Sequence, residues 1–185
     1  MVLAGGRGSR LGGQEKGEIR LGGKRLIDIV VDGARSAGCS TVVVVGETEV
    51  EGALSVREEP VYGGPVAGLA AALPRVETGW IMLLACDLPH AGLLCRLLAG
   101  SFHHLTADFD GLVALTDHRV QWLAGMYRRA SVEAALDRIG DPRGTSMRDL
   151  LGDLKLREVQ DPEGLAHDID TPEELEAASG GKEDR

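Results

Sequence analysis

Leu26-Ile-Asp-Ile-Val-Val-Asp-Gly-Ala-Arg-Ser-Ala-Gly-Cys-Ser-Thr-Val-Val-Val-Val45 is the stretch whose reading decides the fold class. Within the segment Arg25 to Ala37, Leu26, Val30, Ala34 and Ala37 recur at steps of four and three, which lines one face of a helix that Gly38 stops. Four valines follow Thr41, and such a run, apolar on both faces, fits an interior parallel strand. Upstream, Glu18-Ile-Arg-Leu21 reads as a short alternating strand, with Gly22-Gly23 as the turn into the helix. Strand, helix, strand in this order is a βαβ unit, and it predicts an α/β protein.

The same pattern continues downstream. After a polar excursion over Glu47 to Ala53 comes a short strand near Leu54 to Arg57. Pro65 suits the first turn of a helix whose buried face is Val66, Leu69, Ala70 and Leu73, and Gly63-Gly64 before it would let a ligand approach the helix N–H groups. A tight loop feeding a packed helix explains the same two glycines. Trp80 to Cys86 is the strongest strand in the chain, and Asp87 stands at its carboxyl end, the edge where open α/β sheets bind ligands. By position alone Asp87 also fits a helix N-cap, but Leu88-Pro89 separates it from the helix start expected near Ala91. Leu93 to Leu98 is helical, and Gly111 to Leu115 pairs through Asp117-His118 with Gln121 to Tyr127 as an antiparallel hairpin. His103 and His104 are adjacent, about 100° apart on a helix, and read as surface residues. Helices over Val132 to Ile139 and Ser146 to Leu151 bracket the loop Asp141-Pro-Arg-Gly-Thr-Ser146. Near the end, Thr171, Pro172 and Glu174 form a helix start with a capping box, while Asp168 and Asp170 flank Ile169 on what reads as a strand, both pointing to one side.

Chemistry concentrates at the beginning of the chain. Leu3-Ala-Gly-Gly-Arg-Gly-Ser-Arg-Leu-Gly-Gly-Gln-Glu-Lys16 holds five glycines, two arginines and a lysine. Glycine permits positive φ and close approach of backbone N–H groups to an anion, and the cations neutralise phosphate charge, so the stretch reads as a phosphate-binding loop. A solvated flexible turn is the plain alternative. Neither standard fingerprint is present: Lys16 lacks the following Ser or Thr of a Walker A loop, and the spacing from Gly6 and Gly8 lands on Leu11 where a dinucleotide fold needs glycine.

The 185 residues, 43% hydrophobic, suffice for one core and predict a single domain over residues 1–178 with a polar, disordered tail at 179–185. A net charge of -9 opposes non-specific binding to nucleic acid or an anionic membrane. Cys39, Cys86 and Cys95 lack zinc spacing and an even count, which predicts reduced thiols, with Cys86 and Cys95 in the core. Without a signal-peptide pattern or an apolar run of about 18 residues, the expectation is a cytoplasmic protein. Only Met1 and Val2 precede the glycine-rich stretch, so the expected first strand is short and the natural start is a candidate to lie upstream.

Three segments together resemble the molybdenum cofactor guanylyltransferases, the MobA-like nucleotidyltransferases. Leu3, Ala4, Gly5, Gly6, Arg10, Gly12 and Lys16 match the family's opening motif, with Gly8 where it carries serine and Leu11 where it carries methionine. Gly64-Pro65-Val66-Ala67-Gly68 matches its guanine-nucleotide segment, and Cys86-Asp87-Leu-Pro89 its C-D-x-P motif. The segment from His167 to Leu175 matches a third stretch, with Asp168 and Asp170 where many members have asparagine.

The resemblance implies a three-layer domain with a mostly parallel, Rossmann-like sheet of the nucleotide-diphospho-sugar transferase type, and a hairpin on the acceptor side. It also implies transfer of GMP from GTP to the terminal phosphate of molybdenum-molybdopterin. Backbone at Leu3, Ala4, Gly5, Gly6, Gly8, Gly64 and Pro65 would cradle the nucleotide, with Arg10 and Lys16 offsetting charge and Asp87 holding Mg²⁺, joined by Asp170. Glu59 would contact the nucleoside, with Glu58 its near rival. Gln121, Trp122, Arg143 and Asp168 fall on the acceptor side; Trp122 also fits a core position, and Arg148 rivals Arg143 for the acceptor phosphate. A cofactor-insertion or carrier protein would receive the product. The aspartates at 168 and 170 keep a cytidylyltransferase or another small-metabolite nucleotidyltransferase open. A non-catalytic nucleotide carrier is the reading from a different class, and the failed glycine spacing disfavours a nicotinamide oxidoreductase.

Overall fold

The computed structural model of the chain describes residues 1–4, 16–58 and 63–180. Its centre is a seven-stranded sheet in the order β5-β4-β1-β6-β8-β7-β9. These strands are β1 (Val2–Leu3), β4 (Val43–Val45), β5 (Leu54–Val56), β6 (Trp80–Ala85), β7 (Gly111–Thr116), β8 (Arg119–Arg128) and β9 (Leu156–Gln160). β5, β4, β1 and β6 run parallel, β8 is antiparallel to both β6 and β7, and β9 returns parallel to β7.

The short opening strand is central: Val2 pairs with Val44 on one side and Leu84 on the other. The βαβ unit therefore runs from β1 through α1 (Leu26–Ser36) to β4. The segment expected as its first strand, Glu18 to Leu21, lies elsewhere. Lys16–Glu18 is a 3₁₀ turn, and β2 (Arg20–Leu21) pairs with β3 (Lys24–Arg25) in a separate two-stranded sheet. Gly22 (φ 57°) and Gly23 (φ 84°) both take positive φ, the geometry of a tight two-residue hairpin turn, so they fold the strand back instead of handing it to the helix.

Alternating strand residues feed two cores. Val44, Met82, Leu84 and Leu112 pack with α1 and with α3 (Ala91–Phe102) on one face. Val43, Val45, Ile81 and Leu83 pack on the other face with α2 (Pro65–Ala72), α4 (Arg129–Ile139) and α5 (Met147–Leu151). This three-layer arrangement is why the valine run is apolar on both faces. β9 was not anticipated, because Val159 is its single fully buried residue and the rest alternate too weakly to signal a strand. A third, smaller cluster of Ile19, Leu21, Leu26 and Ile169 joins the β2–β3 hairpin to α6 (Pro172–Gly180) and sets the position of the segment before that helix.

Thr171 and Glu174 cap α6 reciprocally: Glu174 N donates to Thr171 Oγ1 at 3.2 Å, and Thr171 N donates to Glu174 Oε2 at 2.9 Å. The segment of Asp168 to Asp170 is irregular and not the strand expected. Ile169 N donates to Asp87 O at 3.1 Å, a single bond where a strand would need a ladder. The helix reaches Gly180, two residues past the expected domain end, and the rest of the expected tail, 181–185, lies outside the described residues.

Candidate active site

β6 ends at Ala85, and the chain turns through Cys86 and Asp87 before α3 begins at Ala91. The residue in N-cap position is His90, so Asp87 is not the cap of α3. Its side chain is buried, with Asp87 only 5% exposed, and faces Lys16. The Lys16 ammonium donates to Asp87 Oδ2 at 2.7 Å and to Asp170 Oδ1 at 2.6 Å, with Asp168 Oδ2 at 3.9 Å. Gly17 eases this: a Cβ there would stand 3.3 Å from the Ile27 Cβ, a tight contact, and 3.8 Å from the Cys86 Sγ, an ordinary one, so glycine lets the 3₁₀ turn settle closely on α1 beside Asp87.

Electrostatics follow from that packing. Burial pushes the Asp87 carboxyl above the usual carboxylate range, Lys16 pulls against the rise, and the charge of Asp168 adds to it. For Lys16, burial opposes the charge, but the hydrogen bonds to Asp170 and Asp87 outweigh it and hold the ammonium charged well above ordinary lysine. Three carboxylates therefore converge on one cation, two of them in direct hydrogen bonds.

Beside this cluster opens a cavity of about 670 Å³, lined among others by Arg119, Gln121, Trp122, Met147, Arg148 and Asp168. A bulge in the β7–β8 hairpin builds its wall. Val113 pairs with Gly125 and Ala114 with Gln121, so Trp122, Leu123 and Ala124 have no partners on β7 and line the cavity. Two features hold the bulge. The buried Tyr127 hydroxyl donates to the Trp122 carbonyl at 2.8 Å, and Gly125 leaves room where a Cβ would stand 2.7 Å from the Leu112 carbonyl and 2.8 Å from that hydroxyl. On the far side, the Asp161 carboxylate accepts from the Thr116 hydroxyl at 2.7 Å and from the backbone N–H groups of Leu165 and Ala166 at 2.9 Å each. It thereby shapes the turn that delivers Ala166 and Asp168 to the cavity. The combination of a buried acid, a shared ammonium and a roomy pocket flanked by arginines at the carboxyl edge of a parallel sheet suits charge-neutralising transfer chemistry on phosphates.

The family model described as the MobA-like NTP transferase domain matches residues 1–159. The chain belongs to that family. The curated molybdenum cofactor guanylyltransferase of Yersinia pseudotuberculosis is 35% identical over 58% of this chain and 58% of its own length. That of Vibrio cholerae is 32% identical over 62% and 57%. Each match thus spans less than two thirds of the curated relative. Among solved structures, the molybdopterin-guanine dinucleotide biosynthesis protein A of Archaeoglobus fulgidus superposes with a TM-score of 0.69 at 25% identity, covering 97% of this chain and 95% of that one.

The fold brings together Lys16, Asp87, Asp168 and Asp170, the last two beyond the matched residues, and at the cavity Gln121 and Trp122 with Asp168. Trp122 is half-buried: it packs against the core on the α2 side and also lines the cavity. Leu3 is buried and its carbonyl accepts from Cys86 N at 3.2 Å, while Ala4 N donates to Val45 O at 2.7 Å. Gly64 takes φ 94°, and Pro65 opens α2 as expected. Gly5, Gly6, Gly8, Arg10 and Glu59 lie outside the described residues. Glu58 is described, and its Oε2 would stand 3.1 Å from a Cβ on Gly68, next to Val45 and Leu3.

Arg143 sits away from the 670 Å³ cavity, bound to Asp141 and lining a second pocket with Glu58 and α2, whereas its rival Arg148 on α5 lines the 670 Å³ cavity. Gly144 N donates to Gly63 O at 2.9 Å, which pins the loop of Arg143 over the start of α2. Arg119, Tyr127 and Asp161 carry no motif signal: Tyr127 acts through the bulge that brings Trp122 to its hydroxyl, and Asp161 through the distant Thr116 as well as the turn that follows it. None of Cys39, Cys86 and Cys95 is in a disulfide, and the last two are buried. No helix among the described residues is long and apolar enough to cross a membrane. Among them, no group of three or more His, Cys, Asp or Glu side chains is placed to hold a metal ion.

Proposed function

We propose that the domain transfers GMP from GTP to the terminal phosphate of molybdenum-molybdopterin, forming the guanine dinucleotide cofactor and releasing pyrophosphate. The observation that carries this reading is Lys16 bridging Asp87 and Asp170 at the rim of the arginine-flanked cavity. An acceptor phosphate oxygen bonds to the α-phosphorus of GTP as the bond to the β-phosphate oxygen breaks. That oxygen is already anionic near pH 7, so no general base is needed, and the protein's work is positioning and charge neutralisation.

In this scheme Lys16 turns its ammonium to the triphosphate oxygens, Arg148 and Arg119 hold the acceptor phosphate, and Trp122 supplies a flat face for the pterin ring with Gln121 at its edge. Asp87 and Asp170 fit a hard divalent cation, since Mg²⁺ takes one or two carboxylates and fills its other positions with waters and phosphates. When bound there, Mg²⁺ supplies further neutralisation of phosphate charge. The finished cofactor would pass to an insertion or carrier protein. Asp168 and Asp170, standing where many guanylyltransferases have asparagine, favour cytidylyl transfer as a second reading.

The test is a transfer assay with α-labelled GTP or CTP and molybdenum-molybdopterin, run on wild type and Asp87→Ala. Labelled guanine dinucleotide from wild type, and a fall of roughly 10²–10³-fold in Asp87→Ala with native circular dichroism, is the expected result. A fully active Asp87→Ala protein overturns the mechanism, and product from CTP alone moves the reading to the cytidylyltransferase.

A further inference from the structure

The Lys16 ammonium holds the two carboxylates that a divalent cation would need. It donates to Asp87 Oδ2 at 2.7 Å and to Asp170 Oδ1 at 2.6 Å, with Asp168 Oδ2 at 3.9 Å. Mg²⁺ takes ionised carboxylate oxygens at about 2.1 Å, so lysine and metal draw on the same pair of acids. A lysine lodged between them repels a second positive charge and occupies the oxygens which that charge would bind.

The acids are fixed independently of the lysine. The Asp87 side chain is only 6% exposed, and the Asp87 carbonyl accepts from Ile169 N at 3.1 Å. Asp170 N donates to Glu174 Oε2 at 2.7 Å within the cap of α6, and Ile169 is buried in the cluster with Ile19, Leu21 and Leu26. Withdrawing the ammonium therefore leaves both carboxylates in place. Lys16 itself is anchored by its backbone: its carbonyl accepts from Ile19 N at 3.2 Å, and Gly17 after it is buried beside Ile27 of α1. The side chain is 26% exposed on a flexible four-carbon stem, so its charge can swing to a new anion without moving the backbone.

We propose that Lys16 is a built-in counter-ion: in the free protein it holds Asp87 and Asp170 against divalent metal, and it is exchanged for the metal when a Mg²⁺-bound triphosphate enters. The triphosphate offers the ammonium new oxygens, and the released carboxylates take the metal that arrives with it. No covalent bond changes in the exchange. Metal and nucleotide are thereby coupled, since whatever the bound triphosphate does to metal affinity the metal does equally to triphosphate affinity. An ammonium that holds the carboxylates about nine-tenths of the time lowers the apparent affinity for metal alone about tenfold. The inference rests on the nucleotidyl-transfer reading of this site and adds to it the order in which its cations arrive.

The test begins with metal alone. The full chain is titrated with Mn²⁺ at about pH 7, the free ion being read by electron paramagnetic resonance. Lys16→Met should bind Mn²⁺ about tenfold more tightly than wild type. Arg148→Met, which removes a charge from the neighbouring cavity without freeing Asp87 or Asp170, should bind it like wild type. Wild type carries a second readout that needs no stable lysine variant. Its four lysines, Lys16, Lys24, Lys155 and Lys182, are few enough for their ammonium signals to be resolved by NMR with nitrogen-labelled lysine, the Lys16 signal being the one missing from Lys16→Arg. That signal should shift in step with Mg²⁺ binding, and at lower free Mg²⁺ when GTP is present. Equal Mn²⁺ affinity in wild type and Lys16→Met, or a Lys16 signal unmoved while metal binds, overturns the exchange alone. So does an Arg148→Met protein that gains as much affinity as Lys16→Met, because long-range charge would then explain both. Mn²⁺ bound by none of the proteins overturns the exchange together with the metal assignment of Asp87 and Asp170. A shift promoted by CTP and not by GTP keeps the exchange and overturns the guanylyl-transfer reading.

Discussion

Lys16 and Asp87 show how much one ion pair depends on its surroundings. A carboxyl raised by burial disfavours its charged form in the folded state, so its cost is absent below the ordinary aspartate value and grows as pH rises through the raised one. Lys16, whose charge is favoured by the fold, contributes stability at every pH below ordinary lysine, near 10.5. Lys16→Met should therefore lose less stability at pH 4 than at pH 7, because the raised Asp87 carboxyl is more protonated at the lower pH while the bond to Asp170 is lost at both. At pH 7, where an unpaired carboxylate stays buried, the variant should lose about 2 kcal/mol, less than for a fully buried pair because Lys16 is partly open to water. Urea denaturation at both pH values measures this, and a loss independent of pH would mean that the pair does not set the local balance. The chemistry of these residues was legible one at a time from their motifs. Their meeting was not, since Lys16 and Asp170 stand 154 residues apart. Glu58 and Arg143 make the same point: a sequence placed Arg143 in a loop, and only the fold showed which pocket that loop closes.

At the scale of elements, an irregular segment is positioned by a single buried side chain. Ile169 is 1% exposed in the small cluster with Ile19, Leu21 and Leu26, and it forces the flanking Asp168 and Asp170 outward toward Lys16. The alternation seen in the sequence is real, but the backbone that carries it is not a strand, because the cluster and the single bond to Asp87 O hold it without sheet pairing. Ile169→Ala should cost roughly 2–4 kcal/mol in urea unfolding and weaken GTP binding measured with Mg²⁺, while the capped α6 persists. Full nucleotide affinity in that variant would show that Asp170 is positioned by something else. The β7–β8 hairpin was equally visible from its two apolar runs and the Asp117-His118 turn, where both residues take positive φ. Its three-residue bulge was not, since a bulge leaves no periodic trace and depends here on Gly125 and the Tyr127 hydroxyl acting across the strand.

Over the whole molecule, one sheet with helices on both faces should unfold as a unit. Cys95 is fully buried under α1, and burial pushes its thiol up to about 12, while Cys86 is buried at the end of β6. A thiol reagent at pH 8 should therefore modify Cys39 at most in the native protein, since Cys39 is half-buried and its own thiol is raised by burial, and reach all three only across the main unfolding transition. Labelling of Cys95 well below that transition, followed by mass spectrometry, would reveal a separately opening unit.

The sequence by itself determined the α/β class, the helix and strand periodicities, the capping box of α6 and the identities of Lys16, Asp87, Asp168 and Asp170. Local rules and apolar alternation act within a few residues, so they can be read along the chain. Only the tertiary structure decided that Gly22-Gly23 closes a hairpin, that β1 sits at the centre of the sheet, that Arg148 faces the 670 Å³ cavity and Arg143 the pocket beside α2, and that one ammonium joins three carboxylates. Those outcomes depend on contacts between segments distant in sequence, where burial and charge are set by neighbours that no local pattern names.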